Sequence, residues 1–161
     1  MDDDFTDLLT RLADAGVEFI LVGGLAAVVQ GAPVATFDID VVHRRTPENV
    51  DRLLAVLAAV GARSREPGEQ HLLPDRDAFL GPGHLLLQTE LGALDVLGSI
   101  EEALTYDDLC ADTARLSIAG REIVILRLER LYALKRVSRR EKDRLMAAQI
   151  RAVLELASGD S

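Results

Sequence analysis

Aromatic side chains are scarce in this chain. Trp is absent, and aromatic residues make up 4% of 161, so platforms for stacking single-stranded bases are few. There is one cysteine, Cys110, and no intrachain disulfide can form. A zinc site would have to draw on His43, His71 and His84, whose spacings fit no zinc motif. Cys110 follows Tyr106-Asp107-Asp108-Leu109, an acidic setting that disfavours a thiolate nucleophile. The apolar run from Phe19 to Val29 is too short to span a membrane and is broken by Gly23-Gly24. The first residues are acidic (Asp2, Asp3, Asp4), the reverse of a signal or transit peptide. A cytoplasmic location with no membrane partner is expected. G-x-G-x-x-G and G-x-x-x-x-G-K-[ST] are both missing, which sets aside a dinucleotide-binding fold and a P-loop.

Positive charge is also in short supply. The formal net charge is −9, which argues against non-specific binding to nucleic acid. The distribution is uneven. Between Arg121 and Arg151 ten Lys/Arg stand against four acids. Such a section could hold nucleotide phosphates or an RNA, although a solvated helix face accounts for most of it.

What is present is a core and a recurring pattern. With 48% hydrophobic residues, the chain can bury a sizeable core as one domain, expected over 1–157 with a frayed tail at 158–161. Phe5, Leu8, Leu9 and Leu12 have helical spacing, and Gly16 closes a helix over 3–15. Residues 17–22 read as a buried strand, 24–30 as a short helix and 36–42 as a second strand. Thr46-Pro47 starts a helix that Gly61 ends. Residues 62–83 read as a loop with a short strand, forming part of a substrate opening. Residues 85–89 and 94–97 make a hairpin around Gly92, and a short helix follows over 101–109. Residues 115–118 and 122–126 make a second hairpin. Helices over 128–137 and 140–157 close the chain. This order predicts an α+β fold, a small mixed sheet with helices packed on it and C-terminal helices.

The chemistry lies in three acids set among apolar residues. In Thr36-Phe37-Asp38-Ile39-Asp40-Val41-Val42, strand alternation puts Asp38 and Asp40 on one face and Phe37, Ile39 and Val41 on the other. A third acid, Asp95, sits in Leu94-Asp95-Val96-Leu97. Carboxylates side by side raise each other's cost of ionisation, so a cation or an open site edge must accompany them. Carboxylate oxygens suit Mg²⁺. Asp38, Asp40 and Asp95 converging on neighbouring strands could bind two Mg²⁺ about 3.5–4 Å apart and support in-line attack at phosphorus. One carboxylate would take the acceptor proton. The competing reading is an exposed strand end with solvated carboxylates, and the flanking hydrophobics at 37, 39, 41 and 42 argue against it. Gly23-Gly24, between a strand and a helix, offers backbone N–H groups to a phosphate; a purely steric turn explains it equally well. His43 reads as a surface residue, with the site rim as the alternative.

Gly23-Gly24 followed by Thr36-Phe37-Asp38-Ile39-Asp40 resembles the signature of the polymerase-beta-like nucleotidyltransferase superfamily. Leu131-Tyr132-Ala133-Leu134-Lys135, Arg139-Arg140 and Lys142-Asp143 resemble, more closely, the small bacterial members that include toxins of type IV toxin–antitoxin pairs. The resemblance spans roughly Val17 to Leu154. It implies that Asp38 and Asp40 bind metal and that Asp95 completes the metal site and acts as, or orients, the general base. It implies that Gly23, Gly24, Thr36, Lys135 and Lys142 contact an NTP. Two departures stand out: Val34 where relatives carry arginine, and Met146 where they carry aspartate.

The expected function is Mg²⁺-dependent transfer of a nucleoside monophosphate from an NTP to a hydroxyl on RNA, such as tRNA, or on protein, with an antitoxin as a partner. The alternatives are transfer to a small molecule such as an antibiotic, and a non-catalytic nucleotide- or partner-binding domain of the same fold.

Overall fold

The computed structural model describes residues 1–68 and 71–159. Helical apolar spacing winds α1 (Asp3–Asp14), with Asp2 accepting from the Asp4 N–H at 2.8 Å as its cap. Leu8, Leu9 and Leu12 are fully buried along one face of this helix. Gly16 then turns the chain, at φ +76, into β1 (Phe19–Val22), buried throughout. The helix α2 (Gly23–Val29) begins with no intervening residue. Next come β2 (Asp38–His43) and α3 (Pro47–Ala59). Thr46 caps α3 by accepting from the Asn49 N–H. The buried Asn49 side chain accepts from the Glu18 N–H at 2.7 Å and donates to the Glu18 and Arg44 carbonyls, tying α3 to both strands. The chain continues through β3 (Arg63–Ser64), α4 (Arg76–Leu80), β4 (His84–Thr89), β5 (Gly92–Leu97) and α5 (Tyr106–Leu109). It ends with β6 (Thr113–Ile118), β7 (Arg121–Leu126), α6 (Leu128–Lys135) and α7 (Glu141–Gly159).

Among the described residues seven strands form one mixed sheet in the order β3-β4-β5-β2-β1-β7-β6. The β1/β7 and β2/β5 pairs are parallel and the other four antiparallel. Helix α1 packs on β7 and α3, α2 on β1, β2 and α6, and α6 on α7. This is the α+β architecture that the order of elements predicts. No helix is long and apolar enough to cross a membrane among the described residues.

Five local expectations change. Phe37 is 86% exposed and precedes β2 instead of joining it, so Ile39 and Val41 alone carry the apolar face. His43 is buried, with Nε2 2.7 Å from the Phe79 carbonyl oxygen, and is neither at the surface nor at the rim of the acid site. The helix expected from 101 shortens to α5, because the Ile100–Leu104 bridge and a positive φ at Glu101 make a turn. In 62–83 the strand falls at 63–64 and a helix, α4, appears. Gln70, and Glu69 beside it, lie outside the described residues. Of the expected tail, Ser158 and Gly159 continue α7, and residues 160 and 161 also lie outside the described residues.

Candidate metal and nucleotide site

Strand register assembles the acids. In the parallel β2/β5 pair Asp40 stands beside Asp95, and Asp38 beside Ala93. Period-two alternation keeps Asp38 on the face of Asp40. Oxygens of Asp38, Asp40 and Asp95 lie within 4.8 Å of one another, and among the described residues they form the one such group of possible metal ligands. In the antiparallel β1/β2 pair Val22 stands opposite Asp40, so the next residue, Gly23, arrives on that carboxylate. A Cβ placed on Gly23 would lie 2.2 Å from Asp40 Oδ2. Here glycine is demanded both by the close approach and by φ +69.

The electrostatics follow from this crowding. Burial pushes the Asp40 carboxyl up to about 8, helped by a proton shared with Asp95 and by the charges of Asp38 and Asp95, while Lys135 opposes the rise. Asp38 is also raised, by burial first and then by the Asp95 charge, with Arg65 and Lys142 pulling the other way. Asp40 Oδ1 is buried with no hydrogen-bond partner among the described residues. An orphaned carboxylate oxygen in a hard oxygen donor set fits a divalent cation such as Mg²⁺.

A pH dependence follows from these groups. A metal on Asp40 must displace its proton. Mn²⁺ affinity is therefore expected to rise with pH up to about 8 and then level off, with protons released on binding near pH 7. Calorimetry in buffers of different ionisation enthalpy reads the release directly. An affinity that stays flat between about pH 6 and pH 8 would contradict it.

Most of the other expected residues lie nearby. Lys135 lines, with Gly23, Asp40, Asp95 and Leu131, a cavity of about 660 Å³. Its ammonium pairs with Asp143 at 3.4 Å, and the Ser138 hydroxyl donates to the same carboxylate at 2.7 Å. Lys142 is exposed and forms no ion pair among the described residues, yet its charge acts on Asp38. The Thr36 hydroxyl donates to the Asp38 carbonyl at 3.1 Å. The Thr36 side chain also abuts Gly24, 3.1 Å from where a Cβ there would sit. Val34 and Met146, the two residues that depart from the pattern the sequence resembles, both pack against the core. Met146 Cε comes 3.8 Å from a Cβ at Gly24, close to the start of α2. Val34 lines a separate groove with Phe5, Leu25 and Phe37.

Sequence reasoning missed Arg65. It follows β3, and its guanidinium donates to Asp95 and lies 3.9 Å from Asp38. Nothing in its neighbourhood of mixed charge announces this, because the contact depends on an edge strand two residues long. The basic section is also less available than its charge suggests. Arg121 pairs with Asp14, Arg130 with Asp112, Lys135 with Asp143 and Arg151 with Glu155.

No protein-family model matches the chain, and no curated protein matches it by sequence. Solved structures do share its fold. The lincosamide antibiotic adenylyltransferase LnuA, with lincomycin bound, superposes at a TM-score of 0.64 with 16% identity, over 95% of this chain and 98% of that one. The antibiotic-resistance factor ANT(2'')-Ia superposes at 0.55 with 17% identity, over 96% and 86%. Its complex with adenylyl-2''-tobramycin superposes at 0.50 with 16% identity, over 93% and 96%. The chain therefore has a fold found in nucleotidyltransferases.

Proposed function

We propose that this protein is a divalent-metal-dependent nucleotidyltransferase that moves a nucleoside monophosphate from an NTP to an acceptor hydroxyl. The observation that carries this reading is the convergence of Asp38, Asp40 and Asp95 within 4.8 Å beside Gly23 and a cavity large enough for a nucleotide. Asp38, Asp40 and Asp95 are the residues that would hold the metal. A metal held there would supply Lewis-acid neutralisation of charge at the phosphates. Gly23 and Gly24 bring backbone N–H groups to the phosphates, with Thr36 fixing the turn beneath them. Lys135 and Lys142 add positive charge to the triphosphate, and Asp143 orients Lys135. Asp95 accepts the proton of the acceptor hydroxyl as its oxygen bonds to the α-phosphorus. The bond from that phosphorus to the bridging oxygen breaks, and pyrophosphate leaves with the electron pair.

Two acceptor classes follow from the surface. RNA, such as tRNA, or a protein would use the basic C-terminal section, the role expected of a toxin held by an antitoxin partner. A small-molecule acceptor, such as an antibiotic, would instead use the cavity, whose wall carries Glu66 and Glu101 beside Lys135 and Arg140.

Purified protein incubated with Mg²⁺ and each α-³²P-labelled NTP tests both. With total RNA and lysate protein present, label on a discrete band is the expected outcome for a macromolecular acceptor. Labelled product that migrates as a small molecule identifies the other class. Absence of both, together with Mg²⁺–NTP binding, would turn the reading to a binding domain of this fold.

A further inference from the structure

Among the described residues, one cation is in direct contact with the acid set: Arg65. It reaches the acids from the edge of the sheet. Its backbone N–H donates to the Leu86 carbonyl at 3.0 Å, and Leu86 stands opposite Asp95 in the β4/β5 register. From there the side chain crosses β4. Nη1 donates to the Leu87 carbonyl at 2.7 Å. Nη2 donates to Asp95 Oδ1 and lies 3.9 Å from Asp38 Oδ2. The guanidinium is thus held at one nitrogen by uncharged backbone and at the other by two expected metal ligands. The pair is largely withdrawn from water, with side-chain exposures of 29% for Arg65 and 13% for Asp95. It is not the solvated surface pair whose contribution is negligible.

We propose that Arg65 is a tethered counter-cation that couples metal loading to nucleotide binding. The inference rests on the metal-site reading above. Two cations cannot share the same carboxylate oxygens without strong repulsion. A metal arriving alone must therefore displace Arg65 from Asp95 and leaves the freed N–H groups with no replacement acceptor. A metal arriving with a triphosphate brings anionic oxygens that can accept the freed N–H groups. Arginine is well suited to that exchange, because its planar fork matches carboxylate and phosphate alike. The Leu87 carbonyl keeps the guanidinium at the site throughout. Arg65 therefore lowers the affinity for metal alone and returns that free energy when nucleotide is present, which is positive coupling between two ligands.

The test measures Mn²⁺ affinity by the free-ion electron paramagnetic resonance signal. It is run with and without α,β-methylene analogues of each NTP, for the parent, Arg65→Ala and Arg65→Lys. In Arg65→Ala, Mn²⁺ alone is expected to bind roughly tenfold more tightly. The gain in Mn²⁺ affinity produced by nucleotide should shrink by a similar factor. Arg65→Lys should fall between, since one ammonium cannot hold Leu87 and Asp95 with the same fork. It keeps the test decisive if the alanine variant does not fold. Metal-only affinity unchanged or weakened in a variant that melts like the parent would overturn the proposal, as would unchanged coupling. Asp38→Asn run alongside separates the two levels. If it abolishes Mn²⁺ binding, a negative Arg65 result counts against Arg65 alone. If Mn²⁺ binding survives it, the metal-site reading itself has failed.

Discussion

Replacing Asp38 and Asp40 together by asparagine is expected to reduce nucleotidyl transfer on the order of a thousandfold or more, because the amides remove two anionic ligands of the proposed metal site. The shape is nearly conserved, so the domain should stay folded. The same variant carries a stability signature that loss of function alone would not produce. In the metal-free protein burial pushes the Asp40 carboxyl up to about 8, from 3.8 for the unperturbed group. Between those values the folded protein holds a proton that the unfolded chain has released. The stability linked to this group is then fully present below about 3.8 and is lost as pH rises towards about 8. Asparagine does not titrate. Without metal, the variant should therefore gain melting temperature relative to the parent as pH rises through that window. Excess Mg²⁺ should reverse the order by stabilising only the parent. Activity retained by the double variant would end the metal-dependent mechanism. Parallel melting curves from about pH 5 to 8 would show instead that Asp40 ionises without penalty.

Gly23→Ala is expected to have the next largest effect, through geometry instead of charge. The added methyl would stand 2.2 Å from Asp40 Oδ2 and 3.0 Å from its Cγ, at a residue with φ +69. The left-handed backbone costs about 1–2 kcal/mol for a residue with a Cβ, and overpacking costs about 1–3 kcal/mol more. Relief requires Asp40 to move off its partners or the β1–α2 turn to open. Either change separates the carboxylates, so Mn²⁺ binding and transfer should fall together by about a hundredfold. Gly120→Ala supplies the control. That glycine has φ +81, and a Cβ there would meet nothing within 4 Å, so it carries the backbone cost without the clash. If both variants lose equal stability and Gly23→Ala keeps its metal affinity, the close approach of Gly23 to Asp40 has no functional consequence.

The groups brought together at this site differ in how far they could be read from the chain. Asp38 and Asp40 declare themselves locally, because alternation is a property of one strand and needs no partner. Gly23-Gly24 declares a turn, but the reason it must be glycine is Asp40, seventeen positions on, and that emerges only when β1 and β2 pair. Asp95 sits in an apolar strand that can be recognised alone, whereas its place beside Asp40 depends on the parallel β2/β5 register. Phe37 shows the limit of alternation. A period-two run does not say where the strand begins, and here β2 starts at Asp38, two residues after the expected start at position 36, leaving that ring in solvent.

The α+β class, the order of the main elements and the identity of the three acids were legible in the order of residues alone. These rest on periodicity, capping and short-range sterics, which act over a few residues. Only the packed fold brings Arg65 to the acids from the sheet edge and buries His43 against Phe79. It also decided that much of the basic C-terminal section would be spent on internal pairs. Those contacts join residues far apart in the chain. Which charge meets which is set by strand register and helix packing, and neither leaves a local trace in the order of residues.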